Sequence, residues 1–434
     1  MPDHRTTSSF MAQEARALLT RLARVQSFAL HETMVPAAAL SPAAQIAIER
    51  FLARGRRELR DMAHEYLRWL DSGAGLHTPP AELQRRFTIL RLRFQAVLSQ
   101  FDTFADVITQ RSEHDTGVWL SGLDVAAADA LALPDYYTAP PVICYLARGH
   151  GAAIRRARTR LPGGGENPVA IVRLPRERMV GTGVASSLVH EVGHQGAALL
   201  ALLPSIRPVL KGLQQGGAQQ QIVWGLWDRW ISEIIADFWS VAKVGVSGTL
   251  GLMGVVSLPR PFVFRVGLDD PHPIPWIRVK LSCAMGNLLY PHPQWNRLAA
   301  MWESFYPTRD LDSGRQQLLA MLEEGIPSFV TLLANHRPPA LRGRSLSEVM
   351  SIADRQPARL AATYQTWRAT PARLRSASPS LAFAVIGQAR ADGLISPEEE
   401  GNTIANLLTD WALRSTLNTA AVCVNSASAL SANS

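Results

Sequence analysis

One run constrains this chain more than any other: Leu188-Val189-His190-Glu191-Val192-Gly193-His194. It spells H-E-x-x-H within a proline-free stretch from Gly183 to Leu203, whose apolar side is Val184, Leu188, Val192, Leu199 and Leu203. That spacing predicts a helix turned toward a core. Histidines four apart share one face, so both imidazoles reach a single ion, with a glutamate beside them to act as a base. The flanks are uncharged, which predicts burial, and buried histidines and glutamates need partners. Zinc doing chemistry takes a third protein ligand and keeps one position open. Glu233 is the candidate ligand, with Asp237 one turn further on. Two histidines on a solvated face by chance are the plain alternative. Gly193 leaves room there for a neighbouring backbone.

The segment Trp224 to Trp239 carries those two acids and is too apolar for a surface helix. Glu233 and Asp237 share a face at i, i+4. Two buried carboxylates that close repel each other unless a cation lies nearby. A metal ion is one such cation. An ion pair with an arginine such as Arg229 is the other.

H-E-x-x-H followed some forty positions later by E-x-x-x-D resembles the gluzincin metallopeptidases, the thermolysin-like branch of the zincins. The resemblance spans roughly Pro168 to Arg278 and rests on these short motifs. It implies that His190, His194 and Glu233 bind Zn2+, that Glu191 is the general base, and that Asp237 orients a ligand histidine. It implies hydrolysis of peptide bonds in a peptide or protein substrate, with zinc lowering the pKa of a water and Glu191 moving its proton to the leaving amine. Gluzincins add an oxyanion donor, and Asp270-Pro271-His272-Pro273 followed by Arg278 is similar to their His-Pro turn. His272 is the expected donor, and Arg278 a structural or substrate-carboxylate partner; an ordinary proline-rich turn is equally compatible. Tyr290 and His292 are weaker candidates that read better as another turn. Asn167 to Pro175 reads as a strand after the Pro162-Gly163-Gly164-Gly165 turn. The resemblance makes it an edge strand whose Ala170 to Arg173 line the cleft; a structural strand is the alternative. Ser186 and Ser187 lie near His190, but no nucleophile elbow surrounds them.

A chain of 434 residues, 47% hydrophobic and 18% charged, folds with full cores and has room for two or three domains. Its net charge of +8 is spread along amphipathic helices with no nucleic-acid motif, so a nucleic-acid partner is not expected. Cys144, Cys283 and Cys423 are far apart and form neither a disulfide framework nor a thiolate zinc site. Met1-Pro2-Asp3-His4 lacks a signal-peptide layout. The most apolar window, Val244 to Leu258, is short and interrupted by four glycines, so no membrane span is expected. It reads as a buried helix or loop. Cytoplasmic residence is the expectation, with specialised export left open.

The fold class expected is mainly α, α+β overall: a helical bundle or hairpin over 1–112, a zincin-like catalytic core with a small sheet over 113–369, and a helical module with a frayed tail over 370–434. Three helices fill the first part. Met11 to Val25 form one stripe, Ile48 to Trp69 a second behind Ser41-Pro42, and Leu83 to Ile108 a third in heptad steps. They predict a stabilising bundle, or an arm that docks a protein partner or a second copy. Pro140 to Leu146 suits a strand. Beyond about 300 the chain is helical again, broken at Pro327, Pro338 and Pro357. Asp392 to Glu400 looks like part of an EF-hand, but Gln388 and Arg390 occupy acidic ligand positions, so calcium binding should fail. A helix start with Ser396 as N-cap and Glu399 closing a capping box is preferred. The rival to the hydrolase is a non-catalytic helical scaffold with a structural metal site or a buried polar network.

Overall fold

The computed structural model describes residues 4–30, 34–149, 151–161, 164–176, 181–267 and 269–431. The fold is mainly helical with one three-stranded sheet, α+β overall. Contacts gather the chain into two compact units: residues 1–118, 156–170 and 416–434, and residues 119–155 and 171–415. This division differs from the sequence-read one. It returns segment 156–170 to the bundle and places 370–415 with the site-bearing unit.

The first unit is built on α1 (His4–Arg24), α2 (Pro42–Leu70), the short α3 (Gly73–Leu76) and α4 (Pro80–Thr109). α1, α2 and α4 all pack on one another as a three-helix bundle. The expected stripes are the core: Leu18, Leu22, Leu52, Leu59, Leu90 and Phe94 are all buried. Ser41 caps α2 through its hydroxyl, which accepts from the Ala44 N–H at 3.3 Å, with Pro42 in the first turn. Gly164 and Gly165, at φ 89° and 88°, occupy the left-handed region a turn needs there; Pro162 and Gly163 lie outside the described residues. Gln100 holds that turn on α4 by donating to the Gly164 carbonyl at 2.7 Å.

The second unit takes up α5 (His114–Leu131), β1 (Val142–Ala147), β2 (Ala153–Arg155) and β3 (Ala170–Pro175). There follow α6 (Gly181–Leu199), α7 (Leu202–Leu213), α8 (Ala218–Val244), α9 (Val246–Val256), α10 (Arg260–Val263) and α11 (Pro275–Leu289). The chain closes with α12 (Gln294–Phe305), α13 (Ser313–Asn335), α14 (Leu346–Met350), α15 (Pro357–Ala369), α16 (Pro371–Ser376), α17 (Pro379–Ala391) and α18 (Pro397–Ser431). α8 is the central helix, packed against α6, α7, α9, α11, α13 and α17. Its Trp227, Trp230 and Trp239 are fully buried, and Trp227 stacks on Phe329 of α13 at 4.8 Å. A helix surrounded this way has no solvent face, hence the unbroken apolar run around Glu233.

Several expectations are corrected. The helix carrying H-E-x-x-H stops at Leu199 rather than running through Leu203; α7 follows at 82°. Ala201 sits at φ 49°, and Pro204 cannot donate to a preceding carbonyl, so a straight continuation is barred. β3 is the middle strand of the sheet, order β1-β3-β2, not an edge. It pairs antiparallel with β2, with Ile154 opposite Val172. With neighbours on both sides its backbone has no open row for a substrate strand. Pro327 does not break α13, because Leu322, Ile326, Phe329 and Val330 anchor both flanks in the core. The tail after Asn418 is helical to Ser431, as a stretch free of glycine and proline allows. The window at Val244 to Leu258 becomes the buried helix α9, where Gly251 is a contact point: a Cβ there would lie 2.2 Å from the Ser186 Cβ. α13 is long and apolar enough to cross a bilayer, but its apolar side packs against α8, α11 and α14.

Candidate metal centre

Two glycines of α6 set the distance between the helices that carry the motif. A Cβ at Gly193 would lie 2.9 Å from the Trp239 Cβ and 3.0 Å from the Ala236 Cα. A Cβ at Gly196 would lie 2.4 Å from the Trp239 ring, whose indole donates to the Ala130 carbonyl at 3.1 Å. α6 therefore lies almost backbone to backbone on α8, as expected at Gly193 and not anticipated at Gly196. At that separation the His190/His194 face of α6 meets the Glu233/Asp237 face of α8.

One nitrogen of His190, one of His194 and one carboxylate oxygen of Glu233 lie within 4.8 Å of one another. Among the described residues no other group of three such ligands comes together. The two imidazoles are perpendicular, at 89°, with centroids 5.0 Å apart. Glu233 Oε2 lies 3.2 Å from His190 Nε2, and Oε1 lies 3.4 Å from His194 Nε2. Ligands about 2 Å from a tetrahedral zinc are roughly 3.3 Å from each other, so this donor set fits the ion. His190 Nδ1 faces Asp237 Oδ1 at 2.8 Å, and Ser232 Oγ lies 3.3 Å from His194 Nδ1. Each imidazole thus has an orienting group on its far nitrogen.

Arg278 of α11 completes the polar core. Its Nε donates to Asp237 Oδ2 at 2.6 Å and its Nη2 to Oδ1 at 2.9 Å; Nη2 also stands 3.6 Å from Glu233 Oε2. The arginine expected beside the acids, Arg229, is not the partner; Arg278 is. Because Arg278 is buried and bidentate on Asp237, its guanidinium supports the site rather than reaching for a substrate carboxylate.

The charges are strongly coupled. Burial works against a charged His190, but Asp237 and the bond from Glu233 outweigh it and raise its pKa to about 9. Burial and then the charge on His190 push His194 down to about 4. Burial also opposes a charged Glu233, yet the His190 bond and the charges of both histidines and Arg278 hold it at about 2. Asp237 lies well below the carboxylate range: burial is overcome by Arg278 and His190. Glu191 moves the other way, raised chiefly by burial. It is buried and makes no hydrogen bond or ion pair among the described residues.

His272 comes from the proline-rich turn before α11 and is half exposed. Its Nε2 lies 3.4 Å from Glu233 Oε2, which brings it to the edge of the cluster. Asp270 accepts from the His272 backbone N–H at 3.0 Å and faces its Nδ1 at 2.8 Å, while Arg265 donates to the other Asp270 oxygen at 2.9 Å. A cavity of about 300 Å³ opens beside His272 and Arg278, with Trp230, Val256, Leu258 and Phe262 among its walls.

The sequence reading missed Asp270, Ser232 and Gly196. Asp270 stood two positions before the singled-out histidine, and Ser232 next to the candidate ligand. Tyr290 is buried away from the site, donating to the Ala242 carbonyl at 2.6 Å, and Ser186 donates to the Gly248 carbonyl at 3.1 Å. The EF-hand-like segment is a helix joint: Ser396 and Glu399 form the expected reciprocal cap at 2.8 and 3.2 Å, and Gln388 is engaged with Gln294 and Asp392. Cys144 and Cys283 are free and buried; the Cys423 side chain lies outside the described residues. Comparison with protein-family models, curated proteins and solved structures finds no match for this chain.

Proposed function

We propose that this protein is a zinc-dependent peptide hydrolase of the gluzincin type. One observation carries the reading: three ligand atoms of His190, His194 and Glu233 converge within 4.8 Å beside a buried, uncommitted Glu191. The three would hold the ion, and a zinc ion held there supplies a water of lowered pKa and polarises a carbonyl. The donors present, two imidazoles and a carboxylate, are those of a catalytic rather than a thiolate structural site.

The chain's own residues account for the remaining steps. Glu191, raised by burial, takes a proton from the attacking water and hands it to the leaving amine. His272, steadied by Asp270, donates to the oxyanion of the tetrahedral intermediate. Asp237 fixes the His190 ring, and Arg278 fixes Asp237. The cavity beside His272 receives an apolar side chain of the substrate.

The test is metal content together with peptide cleavage. One zinc per chain is expected, lost in His194→Ala and retained in Glu191→Gln, with cleavage lost in both. A zinc-loaded chain that refuses hydroxamates would point to a closed structural site and the scaffold reading. A chain that takes up no divalent metal would end the proposal.

A further inference from the structure

We propose that a cavity between α11, α12 and α13, separate from the metal cluster, binds a small organic ammonium ion with an apolar body. The cavity holds about 470 Å³, the size range of small-molecule sites. Its walls are apolar, from Ala284, Leu288, Ala299, Ile326 and Val330. Lys280 stands in the wall, 4.4 Å from the centre of the Trp276 ring, with its ammonium against both Glu303 and Glu323.

The charge count sets the ligand's sign. One lysine faces two carboxylates, so the group is formally −1. Glu303 does not line the cavity, whereas Glu323 does and is partly exposed there. Once Glu303 balances Lys280, the Glu323 charge is left facing an apolar hollow, where attraction to a cation is stronger than in water. A second observation points the same way. Pro327, four residues on in α13 and also lining the cavity, has no N–H to offer the Glu323 carbonyl. Glu323 thus presents a carboxylate and a carbonyl outside the helix ladder, and an ammonium group has three hydrogens to give. A carboxylate ligand would be repelled, and a neutral one would leave both acceptors unanswered.

Ligand-observed NMR on the purified full chain tests this with three six-carbon probes: n-hexylammonium, hexanoate and 1-hexanol. Hexylammonium should bind most tightly. Glu323→Gln should weaken it about tenfold or more, the worth of one charge-assisted bond, while leaving hexanol unchanged. Ala299→Trp should fill the cavity and remove binding of both; Asn296→Trp on the exposed rim serves if that variant does not fold. Three outcomes would overturn the proposal: no hexylammonium binding, equal binding of hexanoate, or indifference to all the variants. Because binding is read directly, the result does not depend on whether the metal cluster hydrolyses peptides.

Discussion

Gly55 in α2 and Gly193 in α6 both lie inside long helices, yet they serve the chain differently. A Cβ at Gly55 would rest 3.6 Å from Val97, an ordinary contact within the bundle. A Cβ at Gly193 would press on the α8 backbone at 3.0 Å. The bundle is held by interlocking apolar stripes, where spacing tolerates a methyl group. The α6–α8 pair is held at a fixed short distance because ligand atoms from both helices must meet. The bundle buries almost only apolar side chains. The α6–α8 region also buries Glu191, Glu233, Asp237, Lys243 and Arg278. Packing of the first kind is robust to small changes, and packing of the second kind is set by position and charge.

That contrast can be broken at its strongest point first. Glu191→Gln should lower peptide cleavage by roughly 10²–10⁴-fold with zinc content and unfolding midpoint unchanged. A variant that still cleaves in a fluorogenic assay would remove the difference in kind between the two regions. Arg278→Met should cost about 3–5 kcal/mol, since it leaves Asp237 buried without its cation, and denaturant unfolding of the metal-free protein measures it. Lys243 sharpens the comparison through pH. Burial, opposed by Asp129, lowers its pKa to about 8. Below pH 8 the lysine is charged folded and unfolded, so the burial cost is present in full. Between pH 8 and about 10.5 only the unfolded chain holds the proton, so stability rises with pH, by about 3 kcal/mol. Lys243→Met should be more stable near neutrality and lose that rise.

The glycines give the smallest effects and the most direct contrast. Gly193→Ala should cost about 1–3 kcal/mol through overpacking and weaken zinc binding as α6 is pushed from α8. Gly55→Ala should instead stabilise the bundle by about 0.5–1 kcal/mol, because a helix interior favours alanine. Thermal unfolding of both variants decides it, and the same sign for both would erase the distinction.

Much of this architecture was legible along the chain. The three stripes of the bundle, the capped start of α2 and the Ser396–Glu399 joint all follow from local periodicity and capping, which a helix reads over one or two turns. The four candidate residues on α6 and α8 were legible for the same reason: i, i+4 spacing fixes a shared face before any packing is known. The end of α6 was misjudged, because its cause lies in Ala201 and Pro204 beyond the last motif residue. The central place of β3 was also misjudged, since strand order depends on pairings that hydrophobic pattern does not encode.

Sequence alone determined that two histidines share one helical face and two acids another, and that both faces are buried. Only the tertiary structure decided that the faces meet, that Arg278 rather than Arg229 neutralises the acids, and that Asp270 steadies His272. Helical geometry is local and repeats every few residues, whereas a charge finds its partner through whichever distant segment packing brings within about 4 Å.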